Sequence, residues 1–149
     1  MIILGRSRLD PGVFDLPVEK MRAGYYTDAY FNHSRSTLLA DGRRPRVVMQ
    51  VFQKKHAYLG GMDEAIAILK LCSDDWDALT VHALYDGDPV APYETVMTIE
   101  GDYTLFAHLE TVYLGVLAWG GLWFRDETLR TLFPIRRSAN PRISKGEGK

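Results

Sequence analysis

The chain contains 149 residues, of which 46% are hydrophobic and 25% are charged, values typical of one soluble domain with a single core. The formal net charge of -1 provides no positive field that would recruit nucleic acid or an anionic membrane surface. No apolar stretch approaches the roughly 20 residues that cross a bilayer, and the start, Met1–Arg6, lacks the apolar length of a signal peptide. We therefore expect a cytoplasmic protein that binds neither nucleic acid nor membrane.

The first third of the chain predicts an anchored arm followed by a helix. Prolines and a glycine in residues 10–18 favour extended and turn geometry, and the apolar side chains between them can dock on a core. After Gly24, Thr27 or Asp28 can cap a helix that runs to about Ala40, because a side-chain oxygen satisfies the first free amides. Asp41-Gly42 is a suitable end for this helix. Its apolar positions are Tyr30, Phe31, Leu38 and Leu39.

The middle of the chain predicts strands around a second helix. The β-branched and aromatic run Arg46–Phe52 predicts a strand, and Gly60-Gly61 then breaks the chain. Apolar residues recur at helical spacing from Met62, with acidic residues at the start and a lysine near the end that match the helix dipole. Two further strands are expected at residues 80–85 and 95–99, where polar and apolar residues alternate.

The last third predicts a helix over the sheet and then a tail. Leu105, Leu109, Val112 and Val116 fall on one face of a helix expected from Asp102 to about Ala118. Residues 136–149 carry five basic residues against one acidic residue and show no apolar periodicity, which predicts disorder. We therefore predict an α+β fold with a mainly antiparallel sheet covered by helices, comprising a domain at residues 1–118 and a divergent, partly disordered tail at 119–149.

Most candidate sites of catalysis are weak. The four histidines are scattered outside any nucleophile turn, and the single Cys72 together with unpaired histidines provides no zinc pattern. Lys54-Lys55-His56 follows the first strand, and the amides after Gly60-Gly61 could bind a phosphate. The favoured interpretation of these residues from their pattern alone is an exposed strand end.

A denser cluster lies at the start of the first long helix. Tyr25, Tyr26, Tyr30 and Phe31 surround the carboxylate of Asp28. Aromatic faces can stack on a planar heteroaromatic ring, while a carboxylate accepts hydrogen bonds from its donors. Physical reasoning alone favours the alternative, in which these rings pack as the start of a helix.

At these residues the sequence resembles the amino-terminal domain of nicotinate phosphoribosyltransferases and their quinolinate-like relatives. The stretch Leu16–Phe31, containing Thr27-Asp28-Ala29-Tyr30, resembles the opening signature of that family. Further similar stretches follow in order at Pro45–Phe52, Gly61–Ala65, Ile99–Tyr103 and Leu109–Leu117.

The resemblance, which spans about residues 10–118, implies a fold, an activity and partners. The family couples nicotinate to phosphoribosyl pyrophosphate in NAD salvage, with magnesium and ATP. Its α+β domain is joined to a larger α/β barrel, and in a head-to-tail dimer it closes the barrel pocket of the other subunit. The expected ligands are therefore nicotinate and phosphoribosyl pyrophosphate, and the expected protein partner is a barrel domain or a second copy.

The resemblance also implies roles for particular residues. Tyr30 would stack on the pyridine ring, Asp28 would orient nearby groups, Thr27 would be a further substrate contact, and Lys54 would contact phosphate. The catalytic histidine and the acidic residues that handle magnesium belong to the barrel, so no residue here inherits them.

The similarity stops after Ala118, which suggests a truncated or frame-shifted product. Whether this chain acts as an enzyme is therefore left open. Three alternatives remain: an enzyme fragment completed by a separate barrel, a non-catalytic regulatory module that docks on an intact enzyme, and an inactive remnant.

Overall fold

A computed structural model describes residues 6–123 of the chain, with side chains described for residues 6–118. The arm forms a 3-10 turn at Pro11–Val13, and Phe14 after it is buried against the core, as predicted. The helices are α1 (Val18–Arg22), α2 (Ala29–Ala40), α3 (Met62–Cys72) and α4 (Glu110–Trp123). The strands are β1 (Arg46–Phe52), β2 (Ala57–Tyr58), β3 (Thr80–Ala83), β4 (Pro89–Val90) and β5 (Thr95–Asp102).

The main sheet has β5 at its centre, with β1 and β3 antiparallel on either side. A separate antiparallel pair joins β2 to β4. Along β1, exposed and half-buried residues alternate, so one face of the sheet meets the helices and the other carries exposed residues such as Val48. These observations confirm the predicted α+β fold with antiparallel strands.

The core lies between this sheet and helices α3 and α4. Ile68 and Leu69 of α3, Ile99 of β5 and Leu109 just before α4 are fully buried. Gly61 lets α3 and α4 approach closely, because a Cβ atom there would lie 2.9 Å from the carbonyl oxygen of Val116. Gly61 also has a φ of +83°, a left-handed conformation that glycine adopts without strain.

Helix α2 has the predicted bounds but not the predicted packing. Asp28 caps it, and Asp41-Gly42 follows its end. None of its residues is buried, and Leu39, expected among its apolar contacts, is exposed. Helix α2 therefore lies on the surface of the domain.

The predicted start and end of the last helix are both wrong. The Asp102 carboxylate accepts a hydrogen bond from the Thr104 amide at 2.9 Å, which turns the chain into 3-10 helix, and α4 begins only at Glu110. At the other end α4 continues through Gly120 and Gly121 to Trp123, because a glycine inside a helix costs only about 1 kcal/mol. The tail expected beyond Trp123 lies outside the described residues, and a domain boundary at residue 118 stays a prediction.

The ends of two predicted strands also differ. β3 stops at Ala83 instead of Tyr85, because the Tyr85 amide donates to the Asp88 carboxylate in the following turn, at 2.9 Å. β5 continues through Gly101 to Asp102, where both residues still pair with β1.

Candidate functional site

The start of α2 is fixed by local hydrogen bonds. Gly24 has a φ of +70°, and its carbonyl oxygen accepts from the Asn32 side-chain amide at 2.9 Å. Asp28 Oδ1 accepts from the Tyr30 amide at 2.8 Å, so one carboxylate oxygen caps the helix. Capping fixes the backbone from which the Tyr30 side chain projects.

Two longer-range hydrogen bonds attach this segment to the region around the start of α4. The Thr27 hydroxyl donates to the main-chain oxygen of His108. The Asp28 amide donates to Thr111 Oγ1 at 3.1 Å. Thr27, predicted as a substrate contact, thus has its hydroxyl engaged in holding the segment.

The Tyr30 ring projects from this fixed backbone into open space. Tyr30 is 69% exposed and Tyr25 is 72% exposed, while the Phe31 ring meets Tyr30 edge-on with centroids 5.5 Å apart. The interpretation of these aromatics as a packed helix start is therefore wrong for Tyr25 and Tyr30. An exposed ring on a fixed backbone can stack on a planar ligand.

Beside Tyr30, Tyr103 and Glu110 form a polar pair. The Tyr103 hydroxyl donates to Glu110 Oε2 at 3.5 Å. Burial, with the nearby Glu110 carboxylate and a smaller effect of Tyr30, raises the pKa of Tyr103 to about 12. Burial also raises the pKa of Glu110, a change that its bond with Tyr103 partly offsets. Tyr103 and Glu110 thus form a half-buried polar pair, with Tyr103 close enough to Tyr30 for that residue to affect its pKa.

Lys54 lies elsewhere, at a groove beyond the end of β1. The groove has a volume of about 270 Å3 and is lined by Lys54, Val51, Leu59, Leu114 and Leu117, among others. Leu114 and Leu117 are three and six residues beyond Thr111, roughly 4.5 and 9 Å along α4. Among the described residues, no hydrogen bond or ion pair joins Lys54 to the Thr27–Tyr30 segment. Thr27, Asp28 and Tyr30 thus share the start of α2, whereas Lys54 lines the groove beside α4.

The possible anion site after Gly60-Gly61 is occupied by the protein itself. The Asp86 carboxylate accepts from the amides of Met62 and Asp63 at 2.8 Å and 3.1 Å. These are the amides that a phosphate would have needed. The phosphate interpretation of this helix start is therefore wrong.

The described part of the chain contains no group of three or more histidine, cysteine, aspartate or glutamate side chains that could hold a metal ion. Nor does any helix within residues 6–123 have the length and apolar character needed to cross a membrane.

Sequence reasoning missed the contributions of Tyr103, Glu110 and Thr111. All three fall in or beside stretches that resemble the family, but their pattern alone gave no sign of their contacts. Thr111 lies 83 residues from Asp28, so only the fold reveals that they meet.

Comparison with known proteins agrees with this architecture. Residues 28–120 match the family model described as quinolinate phosphoribosyl transferase, N-terminal domain. The structure resembles that of nicotinate-nucleotide pyrophosphorylase from Pyrococcus furiosus, with a TM-score of 0.58 and 30% sequence identity over 70% of this chain. It also has the fold of NadC from Streptococcus pyogenes, with a TM-score of 0.50 and 18% identity, covering 73% of this chain and 38% of that one. A search of curated proteins gave no match.

The matching region is a part of these larger proteins. It covers 27% of the Pyrococcus furiosus chain. The family model, by contrast, covers more than half of the present chain and includes α2, both sheets, α3 and most of α4. The chain belongs to the quinolinate phosphoribosyl transferase family, and the part that matches is the family's N-terminal domain.

Proposed function

We propose that this domain forms the pyridine-facing wall of a phosphoribosyltransferase that couples nicotinate to phosphoribosyl pyrophosphate in NAD biosynthesis. The observation that carries the proposal is the Tyr30 ring, 69% exposed at a helix start fixed by hydrogen bonds. Large exposed aromatics on a fixed backbone are suited to bind a flat ring, since little conformational entropy is lost on binding.

Within this wall Tyr30 stacks on the pyridine ring, and Asp28 orients hydrogen-bond donors of the bound substrates. One Asp28 oxygen caps α2, and the second accepts no hydrogen bond within the described residues. Thr27 acts through the backbone, since its hydroxyl already donates to the His108 carbonyl.

The charge near Tyr30 favours nicotinate over quinolinate. Quinolinate carries a second carboxylate, whereas nicotinate carries one. The Asp28 carboxylate, which accepts from the Tyr30 amide, would repel the additional negative charge of quinolinate. The name of the Pyrococcus furiosus protein, a nicotinate-nucleotide pyrophosphorylase, fits either substrate, because quinolinate also gives a nicotinate nucleotide after losing its extra carboxyl group. The local charge is therefore the argument that separates them.

Lys54 is proposed as a phosphate contact separate from the pyridine wall. Lys54 lines the groove between β1 and α4, and its ammonium group is a point charge suited to bind a phosphate. Because no bond links it to the Tyr30 segment, Lys54 would bind a different part of the substrates from the pyridine ring.

The chemical step itself requires groups outside this domain. The bond between ribose C1 and pyrophosphate breaks, pyrophosphate leaves with the electron pair, and the pyridine nitrogen forms the new bond to C1. Positioning and electrostatic stabilisation supply most of the rate for such a transfer. Magnesium and ATP, which the family resemblance implies, would act in the barrel. Activity is therefore expected only when a barrel partner, either a barrel domain or a second subunit, is present.

A nitrogen-15 NMR titration of the 149-residue chain with nicotinate tests the proposal. We expect shifts centred on residues 28–31, and we expect Tyr30→Ala to weaken nicotinate binding by about 1 to 3 kcal/mol through lost ring contact. Tyr25→Ala, which removes a tyrosine of similar exposure, is the matched control and should bind nicotinate almost normally. Equal binding by the Tyr30→Ala variant and the unaltered chain would refute the pyridine wall, as would the absence of binding to the unaltered chain.

A further inference from the structure

The position of Tyr30 depends on polar contacts because α2 has no buried residue. Near its middle, the helix is held by Arg35, whose Nε donates to the Thr104 carbonyl oxygen at 2.7 Å and whose guanidinium pairs with Asp74. A single anchor at this point would allow the start of the helix to swing. The contacts at the start must therefore determine where the Tyr30 ring lies.

The contacts at the start come from residues 27 and 28. Thr27 donates to the carbonyl of His108, whose side chain is fully buried and lies 3.2 Å from the Cys72 carbonyl oxygen. The Asp28 amide donates to the hydroxyl of Thr111, which is the second residue of α4. His108 and Thr111 thus connect the start of α2 to the packed part of the domain.

We infer that Thr111 is a positioning residue for the pyridine wall, holding the Asp28–Tyr30 backbone against α4 so that the Tyr30 ring faces its ligand. This inference rests on the proposed function. Thr111 is itself exposed, so its contribution to core packing is small. Its β-branched side chain has few rotamers in a helix, which limits the directions that the hydroxyl can take. The Asp28 amide is two residues from Tyr30, so a change at this bond is transmitted directly to the ring.

Three variants of the full 149-residue chain test the inference. Thr111→Val keeps the branched shape but removes the acceptor, and we expect nicotinate affinity to fall about 3- to 10-fold. Thr111→Ser restores a hydroxyl and should bring the affinity to within about twofold of the unaltered chain. Thr37→Val is the matched control, because its hydroxyl donates within α2, to the His33 carbonyl at 2.9 Å, and no hydrogen bond among the described residues joins it to α4.

Hydrogen exchange at the Asp28 amide supplies a second readout that a general loss of stability would not reproduce. We expect faster exchange at this amide in Thr111→Val and normal exchange in Thr111→Ser and Thr37→Val. Two results for Thr111→Val would overturn the positioning role. One is faster exchange at the Asp28 amide with unchanged nicotinate affinity, and the other is unchanged exchange at that amide.

The Tyr30→Ala variant separates failure of this inference from failure of the proposed function. If Tyr30→Ala weakens binding and Thr111→Val does not, only the role of Thr111 is overturned. If neither substitution affects nicotinate binding, the pyridine wall and the role of Thr111 are both overturned.

Discussion

Helices α2 and α3 have nearly the same length but contribute to the domain in different ways. Helix α3 has six buried residues, packs against α4 and shares the core with the sheet, whereas α2 has no buried residue. Hydrogen bonds hold α2 at its start and middle, and it carries the exposed Tyr30. The contrast indicates that stability resides mainly in α3, β5 and α4. Helix α2 is then available to present side chains to a ligand or to a partner domain.

The largest effect should come from removing core volume in α3. Ile68→Ala leaves a cavity at a fully buried position and should lower the free energy of unfolding by about 2 to 5 kcal/mol. The matched substitution in α2 is Leu39→Ala, at an exposed position, where we expect a change within about 0.5 kcal/mol. Urea unfolding measures both, and similar losses would contradict the contrast between the two helices.

The next largest effect should come from the contact between α3 and α4. Gly61→Ala places a Cβ 2.9 Å from the Val116 carbonyl oxygen and puts alanine at a φ of +83°. We expect a loss of about 2 to 3 kcal/mol from strain and displacement of the helices. Gly42→Ala, at a φ of +65° with no atom within 4 Å, is the control for strain alone and should cost about 1 to 2 kcal/mol. Equal losses measured by thermal unfolding would show that the close approach at Gly61 is unimportant.

A smaller loss is expected at the cap of α2. Asp28→Ala removes the acceptor for the Tyr30 amide and should reduce stability by about 1 kcal/mol. Asp41→Ala, at the other end of the same helix, is the control for the loss of an aspartate near α2. We expect it to leave the stability nearly unchanged. Hydrogen exchange at the Tyr30 amide reports the cap directly. Unchanged exchange in Asp28→Ala would contradict the capping role.

The smallest effect should be a pH dependence from His108. Burial, reinforced by the positive charge of Arg35, lowers the pKa of His108, while a bond to the Cys72 carbonyl and the charge of Asp74 oppose the change. The unfolded chain therefore binds a proton more readily than the folded chain. The free energy of unfolding therefore includes the full contribution of His108 above about pH 6.5, the ordinary pKa of histidine. This contribution is lost as the pH falls from there through the lowered pKa of the folded chain.

The free energy of unfolding, measured between about pH 7.5 and 5, checks the direction of this change. This range brackets the ordinary pKa of histidine. His108→Leu should flatten the dependence over this range, because the buried titrating group is gone. His82→Ala, which removes an exposed histidine, should leave the dependence in place. A dependence that persists in His108→Leu would assign it to another group.

Local patterns in the sequence predicted the elements well and their contacts less well. Helix α3 was predicted because its spacing of apolar residues and its terminal charges are local properties. The start of α4 was not, since a bond between Asp102 and Thr104 diverts the chain before the helix can begin. The exposure of α2 depends on which surfaces the rest of the fold offers, so its apolar residues alone suggested burial.

The same distinction applies to the candidate site. The Thr27–Tyr30 segment was recognised from its aromatic cluster and from the family resemblance. The hydrogen bond between Asp28 and Thr111 joins residues that are 83 apart in the chain. The carboxylate that accepts from the amides after Gly61 belongs to Asp86, in a different turn. Such contacts follow from the tertiary fold and have no local pattern.

The most direct test of the central claim is an intermolecular nuclear Overhauser measurement between the ring protons of nicotinate and the full 149-residue chain. A stacked ligand places its protons next to the Tyr30 ring, so the account predicts cross-peaks to Tyr30 that disappear in Tyr30→Ala. Cross-peaks to the exposed Phe52 and Tyr93 rings instead, with none to Tyr30, would contradict the pyridine wall at α2.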